Sequence, residues 1–555
     1  MAPTSGILYV TMQPKESLTP AQFHDWYNNE HGPTRLRLSF CKNGFRYRAN
    51  DLSNGAGTPE KPEWMAIYDI EDMQELTRET YTRLRAAPVQ SQRERDTMKQ
   101  IKVDRRFYDF VDEVKADSFR KLEDVKNEGE GNVLVAVSLT LQPGKDKQDE
   151  LAKWYKEEHI DMLSKVPGWR RTRRFVTSTL EGDKEKEWLA LHEYAPENGL
   201  GGEEFKAAVS TPWNEKIQKE VVRGRKRRTY DLYYTFGPAP RDLSALEAEE
   251  TFTAESTDGL TKTYPKTEGG RAVIESYVTT RDGVVLPYRL EGSRSPDAPL
   301  IVLSNSILTE WGIWDEFVDA MLSHPENKGY RVLRYHTRGR SSNAGEKKVT
   351  LDVLTEDIIE LLDALRVKKA AAVVGVSLGG ATAMNTGLKY QDRVAAFVAC
   401  DTNSLAPPGN PKAWGERIEI AEKENAATQS GEKTVGQELA EATVRRWFVN
   451  ESYDSGAQEA KIEKVKKMVE SNSLEGFKKS VQALYEYDVR EEMKGFQGKG
   501  AFVVGKGDGV LPKTMKDMAK SLGGGAQLKE IEGAGHLPMV EKPQEVAEFV
   551  VEFLA

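Results

Sequence analysis

The sequence predicts an α/β plus α+β chain: two ferredoxin-like repeats closing an intramolecular α/β barrel, followed by a doubly wound α/β sheet under a helical cap. Three observations predict it. Four sequence blocks recur in the same order in the N-terminal part. From Arg271 onward short apolar runs alternate with helical patterns, the signature of a largely parallel sheet with helices on both faces. Between Asn403 and Met493 the strand signal gives way to helical periodicity, as an insertion over the carboxyl ends of the strands would require. At 555 residues the chain is too long for one core and fits several domains.

The first copy of the repeat reads TMQP (Thr11–Pro14), DWYNNEH (Asp25–His31), WMAIYDI (Trp64–Ile70) and RRFYDF (Arg105–Phe110). The second reads TLQP (Thr140–Pro143), KWYKEEH (Lys153–His159), WLALHEY (Trp188–Tyr194) and RRTYDL (Arg227–Leu232). The offset of 122–129 residues makes each copy a small domain, expected at 1–125 and 126–238. Each copy reads strand, helix, strand, strand, helix, strand. The strand runs are β-branched or aromatic, and Thr19-Pro20 marks a helix start. A βαββαβ unit is ferredoxin-like and leaves one sheet face bare, which pairing two sheets would bury.

Both copies resemble EthD-like domains of the dimeric α/β-barrel superfamily, over about residues 5–236. Such a barrel is usually a homodimer, and the resemblance implies that this chain carries both halves. His31 and His159 fall at matched positions after Glu30 and Glu158. A carboxylate beside a histidine beneath aromatic rings can form an acid/base site in a barrel cavity; equally, WYxxEH can be a structural signature at a helix end. The run Arg223–Arg228 is open to two readings, a basic patch or a solvated strand edge.

Residues 239–270, rich in Pro, Glu and Thr, are expected to be a linker with at most one short helix, and 271–555 the second architecture, with a cap over about 403–493. VIESYVTTRDGVVLPYRLEG reads as a β-hairpin turning at Arg281-Asp282-Gly283. The runs PLIVLSN, YRVLRYH, AAAVVGV, VAAFVAC and GAFVVGKGD supply the following strands.

Gly375-Val376-Ser377-Leu378-Gly379 fits the G-x-S-x-G nucleophile elbow, with a strand (AAAVVG) running in and a helix (GGATAMNTGLKY) running out. A serine hydroxyl needs a base oriented by a third group. Asp508 follows the strand AFVVG, and His536 lies in the loop before the last helix. The order Ser377, Asp508, His536 is the one this topology demands. The oxyanion hole is expected from the backbone N–H of Leu378 and, after PLIVLSN, of Ile307.

Residues 272–555 resemble the 3-oxoadipate enol-lactonase branch of the α/β-hydrolase fold. The resemblance rests on Leu303-Ser304-Asn305-Ser306-Ile307, on YRVLRYHTRG (Tyr330–Gly339), on GVSLGG, and on Trp414, Arg417 and Trp447-Phe448 in the cap. It implies a carboxylic ester or lactone hydrolase with a small-molecule substrate and no cofactor or metal. Trp414, Arg417 and Trp447 are the expected substrate-binding residues. Trp414 and Arg417, three apart, share a helical face; Arg417 can clamp a substrate carboxylate or belong to cap packing. The enol-lactonases usually carry Asp at His336 and His-Gly at Arg340-Ser341, so this chain departs from the family pattern there; His336 reshapes the pocket or sits at a strand end.

A net charge of -9 argues against a nucleic-acid partner. The two cysteines, Cys41 and Cys400, lie far apart and read as free thiols of a reducing compartment. The start MAPTSGILYV lacks signal-peptide features, and no run approaches the ~18–20 apolar residues of a membrane span. The expectation is a cytoplasmic protein without membrane contact, with a homodimer left open. Three readings remain in view: an ester or lactone hydrolase with the barrel as scaffold, dimerisation module or second active site; a bifunctional tailoring enzyme whose barrel performs a dehydration, cyclisation or similar isomerisation; and a barrel that only binds a small ligand.

Overall fold

The computed structural model describes residues 3–52, 55–121, 131–246, 254–267, 269–327 and 329–555. Contacts divide the chain into two compact units, Met1–Ala245 with Glu255–Gly259, and Leu246–Ala254 with Leu260–Ala555.

The first unit is a closed barrel of eight antiparallel strands. These are β1 (Gly6–Pro14), β2 (Cys41–Ala49), β3 (Trp64–Ile70), β4 (Ile101–Lys115), β5 (Val133–Leu141), β6 (Trp169–Thr177), β7 (Glu187–Tyr194) and β8 (Val222–Thr235). The order around the barrel is β1-β3-β2-β8-β5-β7-β6-β4. Each copy therefore has the same internal order, β4-β1-β3-β2 and β8-β5-β7-β6. The halves join edge to edge, β2 to β8 and β4 to β6, so the faces left bare in each half become the lining of one barrel.

Strand alternation sorts the side chains. Ile7, Tyr47, Ile67, Leu134, Leu191 and Leu232 point inward into one apolar cluster fed by both copies. Leu8, Val10 and Met12 point outward and pack under the first copy's helices with Phe23, Trp26 and Tyr27. Val135, Val137 and Leu139 do the same in the second copy with Trp154 and Tyr155. The basic run Arg223–Arg228 lies at the start of β8, where the register pairs it with β5 alone; β2 joins from Tyr230 onward.

The WYxxEH block has the same local structure twice. Tyr27–His31 and Tyr155–His159 are π-helical turns set within helices that begin at Pro20 and Lys145. The wider turn lets the aromatic pair stay in the core while the following Glu reaches the next helix's N-cap. Ser91 donates to Glu30, and Thr211 donates to Glu158 at 2.6 Å. In both copies that hydroxyl also caps its own helix, accepting from the Glu94 and Asn214 N–H groups. The glutamate of the signature thus ties two helices together.

The expected linker is shorter in the structure. Arg241, Asp242 and Leu243 are buried in the first unit. Asp242 accepts from Asn28 at 2.6 Å, and Asn29 bonds the Asp242 backbone on both sides. Paired amide and carboxylate groups make this polar segment buriable, which composition alone does not reveal. A 3₁₀ turn spans Leu243–Ala245. Of the stretch after it, residues 247–253 and 268 lie outside the described residues, as does the expected boundary at 125–126, while Ala254–Glu255 and Lys262–Tyr264 are strands.

The second unit is a ten-stranded sheet: β9 (Ala254–Glu255), β10 (Lys262–Tyr264), β11 (Val273–Thr279), β12 (Val285–Gly292), β13 (Leu300–Ser304), β14 (Arg331–Tyr335), β15 (Ala372–Val376), β16 (Ala396–Cys400), β17 (Lys499–Gly505) and β18 (Gln527–Ile531). The order is β18-β17-β16-β15-β13-β14-β12-β11-β10-β9, parallel from β14 to β18. β13 to β16 are wholly buried, which is why they read as unbroken apolar runs. β18 is an edge strand with mostly exposed side chains and no apolar run to announce it. Between β16 and β17 the chain builds the cap from helices including Asn410–Glu424, Gln437–Trp447 and Glu459–Glu470. Among the described residues no helix is long and apolar enough to cross a membrane.

Candidate active site

β15 ends at Val376, and the helix Leu378–Lys389 starts one residue later. Ser377 fills the gap with φ 59° and ψ −119°, a conformation that costs a non-glycine residue energy and lifts its side chain off the sheet. The turn closes only with glycines beside it. A Cβ on Gly375 would lie 1.9 Å from the Gly379 carbonyl oxygen, and one on Gly379 would lie 2.2 Å from that of Ser304.

Asp508 follows β17, and His536 follows β18. His536 Nδ1 and Asp508 Oδ2 are 2.6 Å apart. Burial alone would raise the Asp508 pKa, but His536, a hydrogen bond with Asp401 and the Arg446 charge bring it below the usual carboxylate value. Asp508 is therefore ionised and accepts, so His536 Nδ1 donates and Nε2 is left as the proton acceptor. The His536 backbone N–H donates to the Trp447 carbonyl at 2.7 Å, and the Trp447 ring stacks on the imidazole at 5.9 Å. Glu541, buried, holds the same loop by accepting from Gly535 N–H at 2.6 Å and from the cap's Ser452 at 2.6 Å. No hydrogen bond joins Ser377 Oγ to His536 among the described residues; in such sites that contact tightens when substrate is seated. Ser377, Asp508 and His536 line one cavity of about 500 Å³ together with Ile307, Trp414 and Trp447.

Asp401, at the end of β16, was not anticipated from the sequence. It is fully buried, sits at φ 44°, and lies against Asp508. Its Oδ1 accepts from Gly505 N–H at 2.9 Å. Burial first, and then the Asp508 charge, push its pKa far up. Two facing carboxyls share a hydrogen bond only when one is protonated, and that one is Asp401. Its signal was available: an acid at the carboxyl end of the parallel strand beside the nucleophile strand, where such sheets place ligand sites. Asp401, Asp508 and His536 bring ligand-type atoms within 4.8 Å of one another. The Asp508 carboxylate stands between the protonated Asp401 carboxyl and the His536 Nδ1–H, hydrogen-bonded to both.

Of the expected oxyanion donors, Ile307 lines the cavity and Leu378 follows Ser377 directly; neither N–H donates a backbone hydrogen bond found among the described residues. The loop bearing Ile307 is braced by Asn305, which donates to the Tyr335 carbonyl at 2.7 Å and accepts from Trp314 Nε1 at 3.0 Å.

The cap departs from expectation in one place. Trp414 and Trp447 line the cavity, but Arg417 is not among its lining residues: it folds over the Trp414 ring at 4.7 Å and donates to the Ala413 carbonyl at 2.6 Å. The cation that lines the cavity is Arg446, next to Trp447. Helical spacing gave Arg417 the face of Trp414, yet its long stem lets the guanidinium lie back along its own helix. His336 stacks on Trp311 at 4.0 Å, near Glu310 and outside the lining of the Ser377 cavity. Arg340 bonds the cap through Met468, Ser471 and Asn472. Arg338, in the same motif, is buried between Asp282 and Asp357.

In the barrel unit His31 lies outside the barrel wall, between the outward face of the sheet and the helices, and not in the barrel's interior. Its partner is Glu94 at 3.2 Å, not the neighbouring Glu30. His159 is buried and stacks on Trp154 at 4.1 Å.

Residues 299–543 match the family model of the alpha/beta hydrolase fold. The chain is 28% identical over 277 residues to 3-oxoadipate enol-lactonase 1 of Acinetobacter baylyi, covering 50% of this chain and 96% of the relative. It is 25% identical over 266 residues to 3-oxoadipate enol-lactonase 2 of the same organism, covering 48% and 91%. Among solved structures, the enol-lactonase from Burkholderia xenovorans aligns with TM-score 0.43 and 28% identity over 50% of this chain and 99% of that one. The C-terminal region, residues 299–543, is an α/β-hydrolase resembling 3-oxoadipate enol-lactonase.

Proposed function

We propose that the C-terminal unit hydrolyses an ester or lactone bond in a small, acidic substrate through a serine acyl-enzyme. The observation that carries this reading is the strained Ser377 elbow facing the same cavity as a histidine locked to an ionised aspartate. Ser377 Oγ attacks the carbonyl carbon while His536 Nε2 takes its proton; Asp508 stabilises the imidazolium. The N–H groups of Leu378 and Ile307 receive the oxyanion. Collapse breaks the C–O bond, and His536 returns the proton to the leaving alkoxide, which a lactone keeps tethered to the acyl group. A water, deprotonated by His536, then repeats the sequence and frees Ser377. Arg446 supplies the positive charge for a substrate carboxylate, the role the sequence had suggested for Arg417. The relatives named as enol-lactonases support a cyclic or simple ester of a carboxylic acid.

We also read the barrel as two EthD-like, ferredoxin-like repeats. The same strand order in both halves and the twice-occurring π-helical turn support that reading.

Ser377→Ala is expected to abolish both ester hydrolysis and labelling by a fluorophosphonate. An alanine variant labelled at the wild-type rate would remove the reading.

A further inference from the structure

The two barrel copies share their scaffold and differ in the groups set around the signature histidine. Both keep the aromatic pair, the π-helical turn, and the glutamate tied to the next helix's cap. Around the histidine they diverge. In the first copy His31 meets Glu94 at 3.2 Å, and Arg35 reaches the same Glu94 oxygen at 3.4 Å. Four residues after the histidine, the second copy has Leu163 in place of Arg35; three after the cap hydroxyl, it has Asn214 in place of Glu94. Duplicated scaffolding needs the tie in both copies. It does not need a buried Arg–Glu–His cluster in one, and buried charge is costly to keep.

That cluster borders a cavity of about 440 Å³ on the outward face of the first copy's sheet. The walls are apolar and aromatic, with Trp26, Tyr27 and Tyr68 on one side. Two further arginines, Arg85 and Arg105, line it as well. Neither has a carboxylate partner among the described residues, and their charges repel one another, as the lowered pKa of Arg85 reflects after burial. Three guanidiniums face one carboxylate here. Burial lowers the His31 pKa to about 4, so the ring is neutral. Although burial opposes it, His31 and Arg35 hold the Glu94 pKa down to about 2, so Glu94 is ionised and accepts. His31 Nδ1 therefore donates to Glu94, and Nε2 carries the lone pair.

We propose that this cavity is a second ligand site, present in the first copy only, for a flat aromatic acid. The aromatic walls take the ring, Arg85 and Arg105 take its carboxylate or phenolate, and the neutral His31 accepts from a ring hydroxyl. The site is separate from the Ser377 cavity and does not depend on the hydrolase reading.

The test is calorimetric titration of the full chain with 3-hydroxy-2-naphthoate and with its uncharged carboxamide. Saturable binding is expected, weaker for the carboxamide by about tenfold or more, as loss of a charge-assisted contact would give. Arg85→Gln with Arg105→Gln should weaken the acid by a similar factor, while Arg446→Ala, in the other unit, leaves this binding in place. Arg85→Gln alone, at a solvent-open side chain, carries the test if the double variant does not fold. Absence of binding, equal binding of acid and carboxamide, indifference to the arginine changes, or loss through Arg446→Ala would each overturn the proposal.

Discussion

His31, His159 and His192 of the barrel and His536 of the hydrolase unit are treated in opposite ways; His336, in the hydrolase unit with its pKa lowered by burial to about 3, sides with the barrel group. In the barrel, His31, His159 and His192 are held neutral by burial, their pKa values lowered to about 4, 4 and 3. In the hydrolase unit His536 borders an open cavity and is bonded to an ionised carboxylate with a protonated one behind it. One arrangement makes the ring an acceptor or a packing element; the other fixes its Nδ1–H on Asp508 at the edge of a cavity. Residue type, even with a Glu next door in sequence, does not distinguish them; the partner across the fold does.

The largest expected effect sharpens that contrast at Asp508. Asp508→Asn keeps the shape but lets the amide donate or accept, so His536 loses its fixed tautomer. The turnover number on p-nitrophenyl acetate should fall by about 10³–10⁴-fold. A fall below tenfold would show that Asp401 takes over as the acid, since it lies against the same partners.

The difference between what was legible in the sequence and what was not follows the same line. That Ser377, Asp508 and His536 meet at one cavity could be read because each follows a strand end fixed by a local pattern, and chain order relates them. That the N-terminal part closes into one barrel could be read because the recurring blocks are visible without any structure. Asp401 and Arg446 were missed since their significance lies in what faces them. Arg417 was chosen on helical spacing, which sets a Cα direction but not where a long side chain lies. Glu30 and Glu158 looked like acid/base partners because they adjoin histidines; the π-helical turn instead sends them to the caps at Ser91 and Thr211.

Acid should separate the units. A histidine whose folded pKa lies below its unfolded value of about 6.5 binds its proton in the unfolded chain first. Its stabilising contribution is complete above pH ~6.5 and is lost as pH falls toward the folded values of about 4 and 3. Each of the three should weaken the barrel by on the order of 1 kcal/mol per pH unit in that window. Hydrogen exchange of the full chain at pH 7 and pH 5 should show faster exchange in barrel peptides, with the core of the hydrolase sheet less affected. Equal acceleration in both units would break the comparison.

The smallest effect concerns how the hydrolase pocket meets charge. Arg446 lines the Ser377 cavity, while Arg417 lies back over Trp414 and is held by the Ala413 carbonyl. Removing a guanidinium that binds a substrate carboxylate away from the reacting carbonyl costs ground state and transition state alike, so KM rises and kcat stays. Arg446→Ala should raise KM for an ester bearing a free carboxylate by about tenfold, the scale of one charge-assisted hydrogen bond, and leave the corresponding methyl diester unchanged. Arg417→Ala removes a neighbouring like charge from Arg446, so its effect on the acid should be smaller, and in the direction of tighter binding if packing over Trp414 holds. Acid and diester responding equally to Arg446→Ala would mean the cavity recognises shape and not charge. A larger KM change from Arg417→Ala than from Arg446→Ala would mean that Arg417 swings into the pocket when substrate binds, restoring the role that its helical spacing first suggested.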